Sequence, residues 1–284
     1  MRLPNLSSMM AVGELRYIQA AYETPENRNP DNAVSVFLSR SQRLRCAIRG
    51  KLLLRRLRSD PFYYYVLART RYYDDLFADA VKSNIRYVIN IGCGSDTRAF
   101  RFRDLLQVNG TRILECDQAE AIGARKQVAK FSWPIDYVEY MPLDLNDGSW
   151  PDLEQWLKRA HDAQVLVMME GVSPYVDHKS FEQFLEFLAW RLQPGSRIAY
   201  DYKIRGVADR LGVSVRTQMP FRLPASVSWV TDYHEQRGYE VRAVDSSTTL
   251  IARYLPDAQD SGHPIFEEDG LIRLAVPSSA VSIG

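Results

Sequence analysis

Two glycines one residue apart interrupt the apolar run "VINIGCGSDTRAFRF" at residues 88–102, and a short charged segment follows them. Gly92 and Gly94, with Cys93 between them, clear a stretch of backbone that any Cβ would screen from a ligand. A dinucleotide fingerprint requires a third glycine where Thr97 stands, so a nucleoside without a pyrophosphate fits this turn better. Asp117 comes twenty-five residues after Gly92, past the next apolar run. There a carboxylate accepts hydrogen bonds from ribose hydroxyls, or it is an ordinary surface acid in a turn. Farther along, "PLDLND" places Asp144 either against the exocyclic amine of an adenine or as the cap of the following turn. Glu170 stands at the end of "VLVMMEG", as an acid that meets a ligand or as a hydrogen-bonded structural group.

A cation answers these acids from upstream. Phe62, Val66, Arg69, Tyr73, Leu76 and Ala80 recur at helical spacing, which puts Arg69 on the apolar stripe. A guanidinium facing a core needs an anion, either a ligand carboxylate or a distant Asp or Glu. Arg71 lies round the helix with Asp75 four residues on as its local partner.

Alternating elements must position these residues. Strand patterns occupy 87–91, 111–116, 136–142, 164–169, 197–202, 239–244 and 271–276. Helical patterns at 118–131, 152–160 and 179–192 fill most of the gaps among the first five strands, and this alternation predicts a parallel sheet covered on both faces. Ligands of such sheets bind beyond the carboxyl ends of the strands, where Gly92, Asp117, Asp144 and Glu170 all fall. Ahead of the sheet comes a helical front, residues 1–83. Within it 32–57 is basic and helix-prone, and Asp60 is a good N-cap before Pro61 for a helix to about residue 82. Residues 84–284 form the α/β core, and 203–224 are long enough for a lid that excludes water.

Composition bounds the function. With 284 residues, 46% of them apolar and 25% charged, the chain can bury a full core. A net charge of +1 gives no whole-molecule field for nucleic acid. Three cysteines without a C-x-x-C spacing argue against a disulfide framework or a zinc site, and a reducing cytoplasm is the expected compartment. No run of eighteen apolar residues occurs and "MRLPNLSSMM" has no signal-peptide core, so no membrane partner is expected.

The ordered motifs "RTRYYDDLFADAVKSNIRYVINIGCGSDTRAFRF", "LECDQAEAIGARK", "PLDLNDGSW" and "VMMEGVSPYV" resemble the leucine carboxyl methyltransferase family over residues 69–201. Its bacterial members include O-methyltransferases of polyketide biosynthesis. The resemblance implies a class I S-adenosyl-L-methionine-dependent enzyme. Its fold would be a three-layer Rossmann-like α/β methyltransferase fold, a mostly parallel seven-stranded sheet ending in an antiparallel hairpin. It also implies that Arg69 pairs with the methionine carboxylate, Glu170 with the amino group and Asp117 with the ribose. Asp144 and the Leu145 backbone would take the adenine, and Gly92, Cys93 and Gly94 would line the cofactor. Two positions depart from the pattern: Cys93 stands where many members carry Ala, and Asn90 where methyltransferases in general carry an acid.

The acceptor is expected to be a small acid or phenol, free or attached to an acidic carrier protein. A carboxylate, ionised at neutral pH, needs no general base, whereas a phenol profits from one. None of the four histidines sits in an acid–base or metal motif, which favours a carboxylate, and no clustered carboxylate set for a metal is evident. Acceptor-side candidates are Tyr63, Tyr64, Tyr175, Tyr202 and His234. The basic run of Arg43, Arg45, Arg49, Lys51, Arg55, Arg56 and Arg58 is a solvated face or a lure for an acidic partner. Three readings compete: O-methylation of a secondary metabolite, carboxyl methylation of a protein C-terminus, and a non-catalytic cofactor-binding scaffold. The oligomeric state is left open.

Overall fold

A computed structural model describes residues 9–132, 135–207, 219–257 and 266–278. Asp60 accepts a hydrogen bond from the Phe62 amide at 3.0 Å and Pro61 occupies the first helical position, so the helix that carries Arg69 begins where the sequence places it. Three helices form the front: α1 (Met9–Tyr22), α2 (Arg40–Leu57) and α3 (Pro61–Lys82). α2 starts at Ser39, which forms a reciprocal capping box with Gln42.

Eight strands make one sheet: β1 (Tyr87–Ile91), β2 (Arg112–Asp117), β3 (Val138–Pro142), β4 (Val165–Met169), β5 (Arg197–Ile204), β6 (Arg222–Leu223), β7 (Glu240–Ser246) and β8 (Asp269–Ala275). Their order is β3-β2-β1-β4-β5-β8-β7, with β6 beside the end of β5. The pairs among β1 to β5 are parallel, and β8 runs antiparallel between β5 and β7. The seven expected strands are present, and β6 is an addition only two residues long. Between the strands run α4 (Arg98–Arg101), α5 (Arg103–Asn109), α6 (Ala119–Ser132), α7 (Pro151–Lys158), α8 (His178–Arg191), α9 (Val227–Glu235) and α10 (Ser247–Tyr254).

Two apolar layers close the sandwich. One joins α1, α2, α3, α5 and α10 to the sheet through residues such as Ile18, Leu54, Tyr73, Val88 and Leu250. The other joins α7, α8 and α9 to the opposite face through Trp156, Phe181, Tyr200 and Val230. The front helices thus share a core with the strands, and Gln19 tightens the junction by donating to the Tyr63 carbonyl at 2.7 Å.

α3 is buried almost all round rather than along one stripe. For that reason Arg71 feels the charge of Asp75 but makes no close ion pair with it. It donates to the carbonyls of Tyr254 at 2.7 Å, Glu26 at 2.5 Å and Arg28 at 3.1 Å, because other segments of the chain cover its side of the helix. Among the described residues no helix is long and apolar enough to cross a membrane. Of the stretch 203–224, residues 208–218 lie outside the described residues.

Candidate active site

β1 leads into the glycine turn, and its neighbours β2 and β4 continue the chain in opposite directions across the sheet. A crevice opens at such a switch point beyond the strands' carboxyl ends. Gly92 has φ +65°, and a Cβ on it would lie 2.4 Å from Val172 Cγ2, so only glycine fits that position. Asp117, at the end of β2, braces the turn: its carboxylate accepts from the Gly94 amide at 2.8 Å and from the Gln118 amide at 2.8 Å. Cys93 is buried, and burial pushes its thiol pKa well up; its amide donates to the Cys116 carbonyl at 3.0 Å. Asn90 is buried at the departure from the usual acid, and its Nδ2 donates to Asp96 at 3.0 Å. Past β3, Asp144 accepts from the Asn146 amide at 2.9 Å, which is the capping arrangement, and Leu145 is buried beside it.

Glu170 follows β4 and stands between two guanidinium groups, with Arg69 Nε at 3.2 Å and an Arg98 nitrogen at 2.9 Å. Arg69 also reaches Asp201 on β5 at 3.0 Å, and Asp201 accepts from the Gly171 amide at 2.6 Å. Arg98 is almost wholly buried and meets Asp74 at 2.8 Å and Asp96 at 2.7 Å. Beyond it Arg101 grips Asp74 at 2.6 Å, and Arg16 of α1 reaches Asp31 at 3.1 Å and Ser95 Oγ at 2.6 Å. A chain of opposite charges therefore runs along this end of the sheet from β5 to the first helix.

Burial opposes every charge in this chain, and the partners decide which ones survive. Burial alone would lower the pKa of Arg69, but Asp201, Tyr65 and Glu170 hold it well above the usual value. Burial likewise opposes the Asp96 carboxylate, yet Arg98, its backbone amide and Arg125 keep it far below the usual range. Asp201 goes the other way. Burial outweighs Arg69, Asp269 adds repulsion, and its pKa rises to about 6.

The structure brings Arg69, Gly92, Cys93, Gly94, Asp117, Asp144, Leu145 and Glu170 to one rim of the sheet. Of the acceptor-side candidates, Tyr175 belongs there. It sits in the single turn Ser173–Tyr175 after Glu170, 38% exposed, and its hydroxyl pKa is raised by burial and by Asp201 while Arg69 opposes the rise. Tyr63 is buried in the front layer and donates to Glu23 at 2.6 Å; Tyr64 packs edge-on against it at 5.2 Å. Tyr202 is buried in the α7–α9 layer and crosses Gly270, where a Cβ would come within 2.4 Å of its ring. His234 has to be moved from the acceptor side. It is fully buried in α9, one ring nitrogen meets the Tyr200 hydroxyl and the other the Val230 carbonyl, and burial lowers its pKa to about 4. Residue-by-residue reading missed Arg98 and Asp201, although "SDTRAFR" shows an Asp–Arg pair two residues apart. Among the described residues no three His, Cys, Asp or Glu side chains gather as metal ligands do.

Does an adenosylmethionine fit? Gly92 and Gly94 are half-buried at positive φ, and Asp117 stands beside the turn they make. Arg69 Nε is buried without an aligned hydrogen-bond partner, although Glu170 is in ion-pair range, so a donor remains for a ligand carboxylate. The sheet order is that of a Rossmann-like α/β fold, and the glycine turn and the Arg69–Glu170 pair lie together at its switch point.

The family model for leucine carboxyl methyltransferase matches residues 17–189, and the chain belongs to that family. A candidate S-adenosyl-L-methionine-dependent methyltransferase of Frankia alni is 33% identical over 149 residues, 51% of this chain and 50% of that one. Another, from Mycolicibacterium smegmatis, is 26% identical over 233 residues, 74% of this chain and 71% of its own. The matched part thus spans half to about seven-tenths of these relatives. Among solved structures, a DUF574 family protein from Streptomyces avermitilis superposes with a TM-score of 0.58 at 15% identity, covering 97% of this chain and 100% of its own. A candidate methyltransferase from Thermobifida fusca gives 0.56 at 9% identity, covering 93% and 94%. These two likenesses concern the fold.

Proposed function

We propose that this protein transfers a methyl group from S-adenosyl-L-methionine to an oxygen of a small acid and forms a methyl ester. A hydroxyl of a polyketide-type metabolite is the alternative acceptor. The observation that carries the reading is the pairing of Arg69 with Glu170 at the switch point, 3.2 Å apart, one charge for each end of a zwitterionic amino acid. When bound, the sulfonium supplies an electrophilic methyl group. The chain's own residues then hold and orient. Arg69 takes the methionine carboxylate, Glu170 the amino group, and Asp117 the ribose hydroxyls. Asp144 and the Leu145 backbone face the adenine, and the turn Gly92-Cys93-Gly94 lies along the cofactor. Tyr175 borders the acceptor.

The choice of a carboxylate rests on proton accounting. His234 has both ring nitrogens engaged behind the sheet, and burial raises the hydroxyl pKa values of Tyr63, Tyr175 and Tyr202. A carboxylate with a pKa of about 4 arrives ionised and needs only positioning and exclusion of water. The family's description, which names a carboxyl group as the acceptor, points the same way. The test is chemical: products from a panel of aliphatic and aromatic acids and phenols are treated with mild base. An ester releases methanol; a base-stable product contradicts esterification and moves the hydroxyl acceptor forward.

A further inference from the structure

α2 has two apolar sides. Cys46, Gly50, Leu54 and Leu57 face the core, while Leu44, Ile48 and Leu52 stand four residues apart on the opposite side, 61%, 72% and 74% exposed. At helical geometry these three form a convex ridge about 12 Å long. On the helical wheel Arg40 and Lys51 flank it on one side, Arg45, Arg49 and Arg56 on the other, and Arg55 rises within it. The helix contains seven Arg or Lys residues and no Asp or Glu. Arg45 meets Glu14, but Arg40, Arg43, Arg49, Lys51, Arg55 and Arg56 form no ion pair among the described residues. The chain as a whole has 36 basic and 35 acidic residues, so outside this helix acids outnumber bases. The excess of positive charge therefore lies on this helix.

That combination selects the occupant. A second copy would press one basic ridge on another, and like charges oppose it. A nucleic acid would engage the guanidinium groups but leave the aliphatic ridge in water. An anionic lipid surface satisfies both: the ridge enters the boundary of the acyl chains while the flanking side chains reach up to the phosphates. Guanidinium groups suit phosphate oxygens better than ammonium groups do. We infer that α2 docks this protein, lying flat, on anionic lipid surfaces. That no helix among the described residues is long and apolar enough to cross a membrane does not bear on this, because an interfacial helix crosses nothing.

The full chain is sedimented with vesicles of phosphatidylcholine alone and with vesicles containing one-third phosphatidylglycerol. Binding to the mixed vesicles only, weakened by salt, is expected. Arg49→Gln with Arg56→Gln should weaken partitioning about 30-fold, each cation near the surface being worth about fivefold. Leu44→Ser with Ile48→Ser and Leu52→Ser should abolish it, with adenosylmethionine affinity and helical circular dichroism unchanged in both variants. Equal binding to neutral vesicles, unaltered binding of either variant, or no binding to mixed vesicles at low salt overturns the inference. So does a dimer in gel filtration that the serine variant breaks, which would make a second copy the occupant. Capture by an immobilised acidic protein without vesicle binding would make that the partner instead.

Discussion

Arg98→Met removes the cation at the centre of the buried charge chain. Three carboxylates lose a partner: Asp74 at 2.8 Å, Asp96 at 2.7 Å and Glu170 at 2.9 Å. Breaking a buried pair from one side costs about 3–5 kcal/mol, since the remaining charge is left desolvated. Here each acid keeps something. Asp74 retains Arg101 at 2.6 Å, Glu170 retains Arg69 at 3.2 Å, and Asp96 retains Asn90 at 3.0 Å and the backbone amide of residue 98 at 2.7 Å. The loss should therefore fall near the lower end, about 3 kcal/mol, or a Tm lower by about 6–12 °C. Arg98→Lys, which keeps the charge but not the forked geometry, should lie between the variant and the parent. Urea unfolding at neutral pH, followed by circular dichroism, measures all three. A loss below about 1 kcal/mol for the methionine variant would show that the acids are satisfied without Arg98, and the description of the chain of charges would fail.

Gly92→Ala should cost about 1–3 kcal/mol, because φ +65° strains an L-residue and its Cβ meets Val172 Cγ2 at 2.4 Å; adding Val172→Ala should restore part of it, and additive losses would contradict the clash. Asp201 has a folded-state pKa of about 6 against 3.8 for the ordinary group, so its contribution is fully present below 3.8 and is lost as pH rises through 6. Asp201→Asn should remove that decline from a profile of Tm against pH, and parallel profiles for parent and variant would refute it. His234→Gln should lower stability while leaving turnover within about twofold, since the imidazole lies behind the sheet; a hundredfold fall in kcat at unchanged fold would return His234 to the acceptor side.

Strand edges were legible to within two residues because apolar runs stop where the chain leaves the sheet. β5 is the instructive case, two residues longer than its apolar run. It continues through Lys203 and Ile204, since Lys203 is buried against Asp269 at 2.6 Å and Glu268 at 3.4 Å, and no periodicity announces a paired lysine. β6 is too short to carry a pattern at all. Within the site, glycines and acids at strand ends could be read from position, because the geometry of a parallel sheet sends those ends to one rim. Arg98 and Asp201 could not, since their partners lie up to 72 and 132 residues away and only folding brings them together. Arg71 was legible only in part: spacing offered Asp75, whose charge it feels, and tertiary packing supplied the carbonyls that it donates to.

The central claim is that Arg69 and Glu170 form the amino-acid end of an adenosylmethionine site, and calorimetric titration tests it most directly. The parent should bind S-adenosyl-L-methionine and give no heat with NAD. Arg69→Met, shown to be folded by its near-ultraviolet circular dichroism, should bind at least about 30-fold more weakly, the low end for losing one side of a buried charge pair. Equal affinity in the two proteins would make Arg69 a purely structural partner of Glu170 and Asp201 and would contradict the account.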